Sequence, residues 1–188
     1  NCFDEVWLAT SYGIPSLERC ENEAKDMEWA AERFREAGIS ASMQLSRTVG
    51  HSAGSLVTYG GEGVKPEFGL ITSIDGVSAK GIFCWKSLAF RDYIYEQMKI
   101  YSKFQPEIVW YDDDIRLRLL AVSQALCFCD DCIKLFNERF GYRYTRESLK
   151  KDFYYNLTIR EQYIEVQTDS LSEFAGGISS AIHEVSPN

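Results

Sequence analysis

The chain has 188 residues, a formal net charge of −8, 45% hydrophobic residues and 26% charged residues. This size and composition are typical of one globular domain with a buried core, and residues 1–188 are predicted to form a single domain. The basic residues are scattered beside acids, which argues against nucleic acid or an anionic membrane surface as a partner. No apolar stretch approaches the ~20 residues that span a bilayer.

The first third of the chain predicts a strand, a helix and a second strand. Residues 6–9 form a short apolar run, which indicates a buried strand with Trp7 in the core. Between Leu17 and Phe34, apolar residues recur at spacings of three or four, which predicts a helix that Gly38 ends. Residues 39–45 alternate apolar and polar side chains, as in a strand.

A long glycine-rich stretch covers residues 46–80, and it contains a small predicted hairpin at residues 70–76. Loops of this length in compact domains are usually functional or disordered. This one carries Arg47 and His51. A helix is then predicted from Ser87, and a strand over residues 107–111.

The last third of the chain is predicted to be helical. Asp130 or Asp131 is expected to cap a helix that Gly141 ends, Thr145 to cap a short helix, and Ile164 to lie on the apolar stripe of a long final helix. Strands that alternate with helices predict an α/β fold with a parallel sheet. The expected fold class is parallel β/α units forming part of a TIM (β/α)8 barrel, because a whole barrel needs about 250 residues.

The cysteines have the spacing of a metal site. Cys127, Cys129 and Cys132 lie within six residues, and Cys84 precedes the helix that leads to the strand at residues 107–111. Zinc prefers four ligands in a tetrahedron, and four thiolates make a closed, structural site. The pattern therefore predicts structural zinc and a reducing compartment, with a cytoplasmic location. The alternatives are four unmetallated thiols, or a redox pair formed by Cys129 and Cys132.

Three aspartates, Asp112, Asp113 and Asp114, follow the strand at residues 107–111. Barrel enzymes place their catalytic groups at the carboxyl ends of parallel strands. Neighbouring carboxylates raise one another's pKa, and a protonated carboxyl group can donate a proton to a leaving group. Arg116 is expected to keep another of the acids ionised. The alternative is a solvated acidic loop.

Four features of the chain together resemble family 42 glycoside hydrolases. They are the position of Cys84, the strand that ends in acids, the cysteine run at residues 127–136 and the Phe140-Gly141 pair. The enzymes of this family are β-galactosidase-type barrels with a four-cysteine zinc site. The resemblance implies a carbohydrate substrate and an acid/base role for Asp114, where the family has Glu. It places Asp113 at the position of a sugar-contacting Asn. The nucleophilic Glu would come from a later strand, which this chain does not include.

The predicted substrate-binding residues are Tyr12, Arg47, His51 and Arg116. Tyr12 is a loop aromatic suited to a sugar face, and the resemblance places the loop of Arg47 and His51 beside the sugar. Two other functions remain open: a non-catalytic carbohydrate-binding or structural barrel segment, and a divalent-metal-dependent hydrolase that uses the three aspartates. Open sheet edges allow a second copy of the chain as a partner.

Overall fold

The computed structural model describes residues 3–50, 67–117 and 126–187, so His51 lies outside the described residues. The fold is mixed α/β. Within these ranges the strands are β1 (Glu5–Ala9), β2 (Ser40–Leu45), β3 (Leu70–Thr72), β4 (Ser78–Phe83) and β5 (Val109–Tyr111). The α-helices of the same ranges are α1 (Leu17–Glu36), α2 (Leu88–Tyr101), α3 (Asp130–Phe140), α4 (Arg146–Tyr155) and α5 (Leu157–His183).

The main sheet is parallel, as the sequence predicts, and its strand order is β1-β2-β5. Trp7 of β1 lies opposite Ser42 of β2, and Gln44 lies opposite Trp110 of β5. The predicted hairpin is also present: β3 and β4 pair antiparallel, and β4 extends as far as Phe83. The carboxyl ends of β1, β2 and β5 therefore point to the same edge of the sheet.

The two faces of the sheet differ in burial. Ala41, Met43 and Leu45 of β2 point into the core and are fully buried. Trp7 and Trp110 lie on the opposite face, where they are 38% and 61% exposed and meet edge to face at 6.2 Å. The prediction that Trp7 is a core residue was therefore wrong. Its side chain lies on the sheet face that faces solvent in the part of the chain that the structure describes.

Helix ends follow local capping chemistry. The Ser16 hydroxyl accepts a hydrogen bond from Arg19 N–H at 3.2 Å and starts α1. Thr145 forms a capping box with Ser148 at the start of α4, as its sequence position predicts. Helix α3 is capped by Cys129 rather than by Asp130 or Asp131, which are its first two residues. This start places Cys132 in the first turn of the helix.

The buried residues form two hydrophobic cores. We call the first, between the main sheet, α1, α2 and the second half of α5, the sheet core. The other, among α3, α4 and the first half of α5, is called the helical core. Ile164 was predicted on the buried stripe of α5 but is 40% exposed, because the first half of the helix buries Ile159, Tyr163 and Val166 instead. Among the described helices, none combines the length and apolar character needed to cross a membrane.

Helix α5 packs closely against α2 at Gly177. A Cβ atom on Gly177 would overlap the ring and hydroxyl of Tyr95, whereas one on the neighbouring Gly176 would meet nothing within 4 Å. We expect Gly177→Ala to lower the free energy of unfolding by about 1–3 kcal/mol, as overpacking does. Gly176→Ala should raise it by up to about 1 kcal/mol, because alanine favours the helix. Urea denaturation of both variants measures the difference, and equal stabilities would contradict the close approach.

Candidate metal centre and acidic site

The four predicted ligands come from two segments that are far apart in the sequence. Cys84 directly follows β4 and precedes the first turn of α2. Cys127 lies in the turn before α3, Cys129 caps that helix, and Cys132 is in its first turn. Cys84, Cys127 and Cys132 are buried, and Cys129 is half-buried. The fold thus brings together the four cysteines that the sequence singles out.

The sulfur atoms of these cysteines have the spacing of a metal site. All four Sγ atoms lie within 4.8 Å of one another. The Cys84–Cys132 and Cys84–Cys129 sulfur pairs are 3.5 and 3.6 Å apart. Zinc–sulfur bonds of about 2.3 Å in a tetrahedron place the sulfurs about 3.8 Å apart, whereas a disulfide needs about 2.05 Å. The cluster is therefore compatible with a metal ion, and its cysteines are free thiols.

The charges that the cluster can carry also indicate a cation. Contacts with the other three sulfur atoms hold the pKa of Cys129 well below its usual value. In turn, hydrogen bonding to Cys127 and Cys129 raises the pKa of Cys84 well above its usual value, and the same contacts raise that of Cys132. Without a cation, the Cys129 thiolate is therefore favoured over thiolates at Cys84 and Cys132. A bound divalent cation removes this preference, because it stabilises every thiolate that ligates it.

Side chains of α5 and α4 and a backbone carbonyl group of β3 hold the turn at residues 127–129. Cys127 N–H donates to Gln167 Oε1 at 3.2 Å, and the Tyr163 hydroxyl donates to Cys127 O at 2.7 Å. Phe128 N–H donates to Thr72 O at 2.7 Å, and Arg146 Nε–H donates to Phe128 O at 2.8 Å. Sequence analysis missed these partners. The available signal was the pair Tyr163 and Gln167, two polar residues four apart on a long helix.

The second group of predicted residues meets at the carboxyl end of the sheet. Asp114 is fully buried, and its carboxylate accepts hydrogen bonds from Thr48 N–H at 2.9 Å, Gly50 N–H at 2.6 Å and the Thr48 hydroxyl. The acid at the end of β5 thus fixes the segment that follows β2. A carboxylate that accepts several hydrogen bonds is held in its ionised form.

Arg47 is the positive charge beside this carboxylate. Its guanidinium group is buried, donates to Gly81 O at 3.1 Å and lies 5.0 Å from the centre of the Phe83 ring. Burial lowers the pKa of Arg47 to about 10, while the charge of Asp114 acts in the opposite direction, as does a smaller contribution from Tyr12. Arg47 therefore stays protonated at neutral pH. The structure therefore brings Asp114 and Tyr12 close enough to Arg47 to act on its charge.

The other predicted residues of this region are closer to solvent. Asp113 has a side chain that is 72% exposed, and it pairs with Arg116 at 3.0 Å, as the sequence suggests. Asp112 is half-buried. Among the described residues, the group that brings three or more potential metal ligands together is the four cysteines. The described geometry therefore adds no support to a cation held by the three aspartates.

Strand β4 connects the two sites. Phe83 N–H donates to Val49 O at 3.0 Å, and Gly81 O accepts from Arg47. The next residue after Phe83 is Cys84 of the cysteine cluster. The hairpin strand therefore leads into this cluster while it is bonded to the loop that Asp114 holds.

Comparisons with protein-family models, with curated proteins and with solved structures find no match to this chain.

The hydrogen bonds of Asp114 predict a large difference between neighbouring aspartates. Asp114→Ala should lower the free energy of unfolding by about 3 kcal/mol or more, because two backbone N–H groups and a hydroxyl lose a charged acceptor. Asp113→Ala is the matched control and should change it by less than about 1 kcal/mol, as expected for an exposed ion pair. Chemical denaturation of both variants provides the comparison. If both substitutions have the same small effect, Asp114 does not hold the loop.

Proposed function

We propose that Cys84, Cys127, Cys129 and Cys132 bind one zinc ion as a structural centre. The observation that carries this proposal is the convergence of four sulfur atoms within 4.8 Å of one another. Thiolate is a favoured zinc ligand, and four of them leave no open position for a water molecule or a substrate. Zinc in such a site supplies folding free energy instead of reacting with a substrate.

Two buried donors beside the ligands are consistent with charged sulfurs. Trp85 Nε1 and Gln167 Nε2 are buried and have no hydrogen-bond partner among the described residues. Trp85 directly follows Cys84, and the Gln167 amide is bonded to Cys127. Metal-bound thiolates carry negative charge and accept N–H donors, so donors of this kind suit the surroundings of a thiolate site.

The zinc proposal is tested by elemental analysis of protein purified without chelators. We expect about one zinc per chain in the wild type and loss of that zinc in Cys129→Ser, because serine is a poor replacement for a thiolate ligand. Cys20→Ser is the matched control, since Cys20 is a buried free thiol that lies outside the cluster. It should keep its zinc. Wild-type protein without a stoichiometric metal would contradict the proposal.

We further propose that the chain is part of a glycoside-hydrolase-like TIM barrel that acts on a carbohydrate. The three parallel strands, each preceded or followed by a helix, are what such a barrel repeats. The predicted site residues Tyr12, Arg47 and the aspartates follow β1, β2 and β5, at the edge where barrel enzymes bind substrate. The cysteine centre beside this edge matches the resemblance to family 42 enzymes.

Within this proposal the three aspartates have different roles. Asp114 is fully enclosed and accepts three hydrogen bonds, so it positions the loop at residues 48–50 beside the ligand. Asp113 is the most exposed of the three and presents its carboxyl group to a sugar. The acid/base function that the resemblance gives to Asp114 is thus assigned to Asp113. Arg116 Nη1 lies 3.0 Å from the Asp113 carboxylate and orients it.

The second candidate function is a non-catalytic carbohydrate-binding segment. One observation favours it: the aspartate aligned with the catalytic Glu of the family has both carboxylate oxygens engaged by backbone and side-chain donors. A general acid has to present its proton to the leaving group. If no other group takes over this role, the site binds a sugar without cleaving it.

Turnover of a panel of aryl glycosides by a longer chain, which includes the strand of the nucleophilic Glu, separates these two functions. A hydrolase should lose about 10² to 10⁴-fold in rate in Asp113→Asn, the range that general acid catalysis contributes. Asp169→Asn is the control, because Asp169 forms a similarly exposed ion pair with Arg139 and should retain full activity. Sugar binding in a calorimeter with no turnover of any substrate would favour the binding function. A protein that shows no sugar binding and no turnover would contradict both candidate functions.

A further inference from the structure

Both main-chain polar groups of the ligand residue Cys127 are bonded to one helix. Its N–H donates to Gln167 Oε1 at 3.2 Å, and its carbonyl oxygen accepts from the Tyr163 hydroxyl at 2.7 Å. Tyr163 and Gln167 are four residues apart on α5, so they lie on the same face of the helix, one turn apart. Both side chains are fully buried.

The Tyr163 ring also fixes the residue that follows Cys127. It stacks on Phe128 with a centroid distance of 4.7 Å and an interplanar angle of 3°. The Tyr163 side chain therefore contacts both Cys127 and Phe128.

The amide of Gln167 has a defined orientation. Since Cys127 N–H requires an acceptor, the Oε1 atom faces the turn, and Nε2 remains a buried donor without a partner in the part of the chain that the structure describes. A purely structural glutamine at a fully buried position would leave this donor uncompensated at a cost. Negatively charged sulfur atoms nearby would attract such a buried N–H donor and offset this cost.

We propose that Tyr163 and Gln167 are positioning residues of the metal centre, which fix the Cys127 backbone so that its sulfur is held in place for the ion. The inference rests on the proposed metal site and assigns it an outer layer on α5. Residues of this kind orient the ligands of a metal, and their loss typically weakens metal binding by about 10 to 100-fold. The geometry of the metal centre thereby depends on the position of α5 as well as on that of α3.

The test uses Tyr163→Phe and Gln167→Met in the full chain, each of which removes one hydrogen bond and keeps the side-chain volume. Tyr93→Phe and Gln97→Met are the matched controls. Tyr93 donates to the carbonyl oxygen of Pro15 at 2.8 Å, and Gln97 is a buried glutamine that donates to Cys20 Sγ at 3.6 Å. Zinc affinity is measured by competition with a chromophoric chelator. The cobalt(II)-substituted proteins supply the thiolate-to-metal charge-transfer spectrum.

We expect both α5 variants to bind zinc at least about tenfold more weakly than the wild type and to show an altered cobalt spectrum. The controls should match the wild type in both. If the wild type binds zinc but the α5 variants bind it equally well, the inference is wrong and the metal site stands. It is also wrong if they lose equal stability with and without metal while the cobalt spectrum stays unchanged. If the wild type itself binds neither ion, the metal site is wrong. Should Tyr163→Phe fail to fold, Gln167→Met alone decides.

Discussion

Four sulfur atoms meet where the sheet core and the helical core join. This contact links the two cores in the described parts of the molecule. Cys84, Cys127 and Cys132 belong to the sheet core, whereas Phe128 and Ile133, between and beside them in sequence, belong to the helical core. Helices α3 and α4 pack against α5, and the ion pair between Lys150 of α4 and Asp75 joins them to the β3–β4 hairpin as well. Three buried thiols and one half-buried thiol do not ionise together without a cation, so the zinc ion that we propose would add an attraction between the two cores.

The acidic site depends on the same framework. Asp114 at the end of β5 holds the segment after β2, and that segment is bonded through Val49 and Arg47 to strand β4. Cys84 directly follows β4. The zinc ion that we propose would hold the end of β4, and β4 in turn is bonded to the loop that carries Arg47.

Local chemistry predicted the elements and the cysteine grouping well. The parallel sheet, the hairpin, the capping residues Thr145 and Gly141 and the four-cysteine cluster all followed from spacing and capping rules. Contacts between distant residues could not be predicted in this way. The bonds from Thr48 and Gly50 to Asp114 join residues 64 to 66 positions apart. Trp7 was misplaced because a continuous apolar run does not show which face of a strand is covered. Ile164 was misplaced because α5 changes its buried partners along its length, and its first half buries the polar residues Tyr163 and Gln167, which bond the turn at residues 127–129.

X-ray absorption spectroscopy at the zinc edge, on protein purified from cells without added metal, tests the central claim most directly. The account predicts a single shell of four sulfur neighbours at about 2.3 Å, with no shorter nitrogen or oxygen contribution. A shell that contains nitrogen or oxygen ligands would mean that the four cysteines do not make up the site. A signal at background level would mean that the two cores are joined without a metal ion.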